Sequence, residues 1–301
     1  MKKSLLYVAL GFSAMTIVSC GGGENESDAS KVDSAAIAGD TIDDTKSKIE
    51  EAQKVYYSIP STSEMAELLQ DAGAGFDSKI LSDINNWDKY TTSRTQALNL
   101  GIYGADLNYC TIYERNNDVI FYMECNHKLA EKLGIENAIS EETQLRAEEN
   151  IDNRDSMMVI ISDMFYELES YLAENDKDDI SALVIGGGWI EGLYLATQTV
   201  NEKKPNKDIL NRIAEQKMSL NNLIEFIRQY ESNEDVKLLL VDLHKINKIY
   251  DGIVVEKQST SVSEENGTTV IGGQTKVEIT LNQFKALKKT VKEIRDSYTK
   301  F

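Results

Sequence analysis

"ALVIGGGWIEGLY", residues 182–194, is the stretch on which the fold of this 301-residue chain turns. Three consecutive glycines in an apolar run have three physical readings: a phosphate loop, a membrane span, or a helix that lets another backbone come close. A dinucleotide loop needs G-x-G-x-x-G between a strand and a helix. Here Gly186, Gly188 and Gly192 make G-x-G-x-x-x-G, and no Walker lysine follows. A span across residues 180–200 would place Glu191 near mid-bilayer, at a cost of about 3 kcal/mol. Ser181, Thr197, Gln198 and Thr199 dilute the same stretch further. A buried helix is the reading that fits. Gly188, Gly192 and Ala196 are four apart and share one strip of it. That strip is expected to admit a second backbone, so leucine at Gly192 should overpack it.

A partner helix is visible upstream. "ALNLGIYGADLNY", residues 97–109, repeats small residues four apart at Ala97, Gly101 and Ala105. At a constant offset of 85, Gly101 aligns with Gly186, Asp106 with Glu191 and Tyr109 with Tyr194. "KLAEKLG" from Lys128 roughly echoes "RIAEQKM" from Arg212. An old duplication and chance similarity between two small-residue helices both account for this. The two helices, spanning about 91–113 and 179–200, belong at the centre of the body.

Helical periodicity continues through most of the chain. Met157, Ile161, Met164, Phe165, Leu168 and Leu172 form one stripe, and Val236, Leu239, Leu240, Leu243, Ile246 and Tyr250 another. A third runs through Leu281, Phe284, Leu287, Val291, Ile294 and Tyr298. Ser61–Glu64 and Thr280–Gln283 have capping-box spacing. Pro205 suits the first turn of a helix over 206–230. Residues 253–280 break the pattern with β-branched runs around Asn266-Gly267, which reads as a β-hairpin insertion. The fold class expected is all-α: a multi-helix bundle, with two pseudo-repeated helical units and that insertion.

The N-terminus carries an address. Lys2 and Lys3 precede an apolar run from Leu5 to Val18, which ends in Ile17-Val18-Ser19-Cys20. This resembles the lipobox of bacterial lipoproteins, which implies a signal peptide over 1–19 and lipidation (palmitate-type acylation) at Cys20. Residues 20–45 read as the lipidated cysteine and a flexible acidic tether, poor in apolar residues. About 25 such residues reach about 25–30 Å. The helical domain is then 46–301. The segments "LGIYGADLNY" and "GGGWIEGLYLATQ" are similar to stretches of all-helical lipoproteins of Bacteroidota. That resemblance implies no activity, and the G-x-H-x-x-E motif of imelysin-like lipoproteins is absent. Gly21 and the acidic Glu24, Glu26 and Asp28 favour the outer membrane over the inner, in a bacterial envelope, facing the periplasm or the surface.

Composition excludes some partners. The net charge is −18, more negative still once Lys2 and Lys3 leave with the signal peptide. Nucleic acid demands a basic face, so none is expected as a partner. The expected partners are the membrane, through the N-terminal lipid, and an envelope protein or small ligand. Cys110 and Cys125 are expected as buried thiols, although the compartment permits a disulfide. His127 and Glu131 sit four apart, which is too little for a metal site. No cofactor and no catalytic residue is assigned.

Two acids stand out. Asp106 is the one charged residue between Arg94 and Glu114, and Glu191 the one between Asp179 and Glu202. An isolated carboxylate in such surroundings must be paired, hydrogen-bonded or protonated. With Tyr109 and Tyr194 they form the candidate ligand-binding set. Three functions follow: a non-enzymatic binding or scaffolding lipoprotein, a binder of a small ligand or cation in a pocket between the 91–113 and 179–200 helices, and a carboxylate-dependent hydrolase. The shared-site reading requires the two carboxyl groups to converge on a cavity.

Overall fold

A computed structural model describes residues 75–300 apart from 258–260, 266–267 and 273–274, with isolated positions between 46 and 52. Cys20, the tether and the Ser61–Glu64 box lie outside the described residues. Residues 41–301 form one compact unit. Its architecture is an all-α bundle, with short paired strands between the last two helices.

Two 3-10 segments, Ser78–Ile80 and Ile84–Lys89, lead into α1, Ser93–Ile112. Thr92 caps α1 reciprocally with Thr95. α2, Asn116–Leu133, folds back against α1 and ends where Gly134 takes the left-handed conformation, at φ 64°. α3 is Glu141–Glu149, α4 Arg154–Glu174 and α5 Asp178–Thr199. α6, Lys207–Arg228, and α7, Glu234–Tyr250, follow. α8, Leu281–Thr299, opens on the Thr280–Gln283 capping box that the spacing predicts. Pro205 falls outside the helix rather than in its first turn. Asn206 is the cap, its side chain accepting from Asp208 N, so the helix begins one step later than expected. Between α7 and α8, Val254–Lys257 pairs antiparallel with Thr275–Glu278, and Ser261–Glu265 with Thr268–Gly272.

α1 and α5 are apolar all round because they lie at the centre. α1 packs along α5, and both are buried over most of their length. α2 covers α1, α8 packs on α5 and α7, α6 lies between α5 and α7, and α4 leans on both central helices. α5 is long and apolar enough to cross a membrane by composition, but 83% of its most apolar window is buried inside the fold. The protein's own helices surround it.

The glycines act at different positions from those expected. A methyl group added at Gly101 would fall on the carbonyl oxygen of Val184, and one at Gly187 on that of Leu98. At Gly186 it would strike the Leu239 side chain. These three set the separation of the core helices. Gly192 corrects the sequence-based expectation: a Cβ there meets nothing within 4 Å. The partner backbone crosses at Gly187 and Gly188, more than a turn earlier, and leaves Gly192 facing open space.

Candidate functional site

The two acids do come together. α1 carries Asp106 and α5 carries Glu191, and because these helices are in backbone contact the two carboxyl groups become neighbours. Both are 0% exposed. What sits with them is Arg295 of α8. Its Nε donates to Glu191 Oε2 at 2.8 Å and its Nη2 to Glu191 Oε1 at 3.1 Å, a two-pronged pair. Nη2 also donates to Ser82 Oγ at 2.7 Å. The guanidinium lies over the Tyr194 ring, 4.7 Å from its centroid.

Ser82, between the two 3-10 segments, ties the cluster to the loop. Its N–H donates to Asp106 Oδ2 at 3.0 Å, and its carbonyl accepts from Tyr122 Oη at 2.6 Å. Asp106 Oδ1 is buried and, as a carboxylate oxygen, has no partner. Protonated, it donates toward Glu191. Burial pushes Asp106 well above the usual carboxylate range, and the charge of Glu191 pushes the same way; Arg295 and the Ser82 hydrogen bonds oppose this without reversing it. Burial also raises Glu191, opposed by Arg295 and by the hydrogen bond from Asp106. The paired hydrogen bonds from Arg295 assign the cluster's one negative charge to Glu191. Burial works against the Arg295 charge, but the charge and hydrogen bonds of Glu191 outweigh it and hold the guanidinium protonated. The cluster is therefore a neutral, closed network of proton, carboxylate and guanidinium.

Of the four candidate residues, three converge and one does not. Tyr194 lies under Arg295. Tyr109 points elsewhere, stacking on Phe76 at 5.5 Å and accepting from Asp77 N at 3.3 Å. The acids converge on Arg295 and Ser82 rather than on open space. Arg295 was the residue to find. It sits four after Val291 and three before Tyr298, inside the apolar stripe of the last helix. Ser82 carries no such signal, since a loop residue is positioned by its contacts alone.

Open space lies on the other side of the α1–α5 seam. A half-open groove of about 1040 Å³ runs between α1, α5, α2 and α4, and the 135–139 turn and α3 close one end. Its floor includes Leu100, Gly104, Ala105, Val184, Gly188 and Gly192. Ile120 and Met123 of α2 and Met158, Ile161, Phe165 and Leu168 of α4 form its walls. Cβ atoms at Gly104 and Gly192 would both meet nothing within 4 Å, so these two missing side chains hold the floor open. Ile120 and Val159 stand half-exposed among the lining residues. The charged lining residues are Glu124, Glu136, Glu148 and Asp163, with His127; among the described residues, no lysine or arginine lines it.

Remaining sequence candidates settle simply. Cys110 and Cys125 are free and buried, and burial raises both thiols, Cys125 to about 11. His127 Nε2 lies 3.5 Å from Glu131 Oε1. Among the described residues, no group of three or more His, Cys, Asp or Glu is placed to hold a metal ion. Neither a protein-family model, a curated protein nor a solved structure matches the chain.

Proposed function

We propose that this chain is a lipid-anchored, non-enzymatic binding protein of the bacterial envelope, and that its body holds an elongated apolar ligand in the groove over the α1–α5 seam. One observation carries the reading: an apolar volume of about 1040 Å³ kept open by Gly104 and Gly192. Small-ligand sites are concave, mostly apolar and of about 300–1,000 Å³. Each methylene moved from water into such a groove contributes about 0.8 kcal/mol, so a long acyl or alkyl chain binds without any strong polar contact. In this reading Asp106, Glu191 and Tyr194 stiffen the floor from behind and touch no ligand. The central helices read as copies of one unit at an offset of 85 residues, and 253–280 as a β-hairpin insertion. The lipobox and the resemblance to helical lipoproteins of Bacteroidota support the anchor and the outer-membrane address.

The test is binding of an environment-sensitive apolar fluorophore to the full chain carrying Cys20→Ala. The chain should bind it saturably. Gly192→Leu should fold, fill the groove and lose at least tenfold in affinity. Undiminished binding to a folded Gly192→Leu would refute the assignment. The scaffolding alternative predicts no saturable binding at all.

A further inference from the structure

The polar part of the groove selects among amphiphiles. This rests on the apolar-ligand reading and adds what the ligand's head must be. Every acid lining the groove can place negative charge at its rim, and among the described residues no lining side chain carries a permanent positive one. Glu124, Glu136 and Glu148 are exposed and pair with no described cation, whereas Asp163 is held by Arg146 at 2.9 Å and His127 lies beside Glu131. The surrounding protein has the same sign, at −18 overall.

We infer that the groove takes a single-chain amphiphile ending in a primary ammonium, its chain on the Gly104–Gly192 floor and its head among Glu124, Glu136 and Glu148. A carboxylate or phosphate head fails, because like charges repel it from the rim. A hydroxyl head is not repelled but gains nothing from the acids.

The experiment displaces the bound fluorophore from the Cys20→Ala full chain with an amine, an alcohol and a carboxylate of one chain length, each below its micelle concentration. The amine should compete at least tenfold better than the carboxylate, with the alcohol between them. The preference should shrink as salt rises, because exposed charges are screened. Combining Glu124→Gln, Glu136→Gln and Glu148→Gln should reduce it to about twofold or less. A control that removes as much charge elsewhere, Glu225→Gln, Glu231→Gln and Asp251→Asn, should leave it intact. Equal competition by amine and carboxylate overturns the inference and leaves the groove reading standing. So does a preference that survives the rim variant or falls equally in the control. Absence of fluorophore binding overturns the groove reading, and the inference with it.

Discussion

Arg295 decides what the two buried acids are. Without it, Asp106 and Glu191 side by side would be a pair of groups each raised by burial and, in Asp106, by its neighbour. With it, they become one ion pair and one protonated acid. Removing one partner of a buried pair leaves an uncompensated charge, which typically costs about 3–5 kcal/mol. Glu191→Gln should lower the unfolding free energy from chemical denaturation by that order, and an unchanged value would refute the pairing. Asp106→Asn should behave differently, because the amide reproduces the protonated acid: its oxygen accepts from Ser82 N and its nitrogen donates toward Glu191. The pH dependence separates the two. A carboxyl whose folded pKa is raised binds more protons folded than unfolded, so its stabilisation is full below the unfolded pKa and is lost as pH rises through the folded one. For Asp106 the loss begins near the ordinary value of 3.8. Glu169 repeats the pattern independently. It is buried, bonded to Ser181 Oγ, with Oε1 unpartnered, and burial pushes it from 4.5 up to about 7. Stability should therefore fall with rising pH across that window by up to about 1.4 kcal/mol per pH unit for this group. Glu169→Gln and Asp106→Asn should each flatten the profile relative to wild type. Parallel melting curves from pH 4.5 to 8 would show that these acids are not protonated in the fold.

Between elements, the glycines of α1 and α5 play two opposite roles. Gly101 and Gly187 sit where one helix backbone presses on the other, and a side chain there has nowhere to go. Gly104 and Gly192 face the groove and lack any neighbour. Alanine is a better helix former than glycine by about 0.8–1.0 kcal/mol, so the sign of a substitution reports the packing. Gly101→Ala should destabilise by about 3 kcal/mol or more, since the clash is with backbone and exceeds an ordinary overpacking cost of about 1–3 kcal/mol. Gly192→Ala should stabilise by up to about 1 kcal/mol. Thermal unfolding of the two variants side by side checks both. Same-sign shifts would contradict the division of labour.

For the whole molecule, the proposed function joins an anchor signal and an acidic tether expected from the sequence to a helical body with an apolar groove. If that proposal holds, the body stays within reach of a membrane surface, where amphiphiles are concentrated. The anchor has its own test. Cys20→Ala should abolish metabolic labelling with palmitate and shift the protein out of the membrane fraction. Retained labelling would remove the anchor while leaving the body's chemistry untouched.

Much of this was legible from residue order alone. Period 3.6 in three stripes implies helices, because an amphipathic helix must bury one face. The scarcity of charged residues around 97–109 and 182–194 marks the central pair, since a helix with no charged face has to be surrounded. Asp106 and Glu191 stand out for the same reason, as charges where none is otherwise tolerated. What residue order could not supply is which side chains meet across the sequence. Arg295 lies 104 residues from Glu191, and Ser82 lies 213 from Arg295. Periodicity places a residue on a face but does not say which face of another helix it meets. The same holds for the glycines: spacing of four marks a small-residue strip, and only the crossing point of α1 and α5 decides that Gly101 is filled against backbone while Gly192 is left open. The groove is a property of that crossing, and of where α2 and α4 stop short of closing over it.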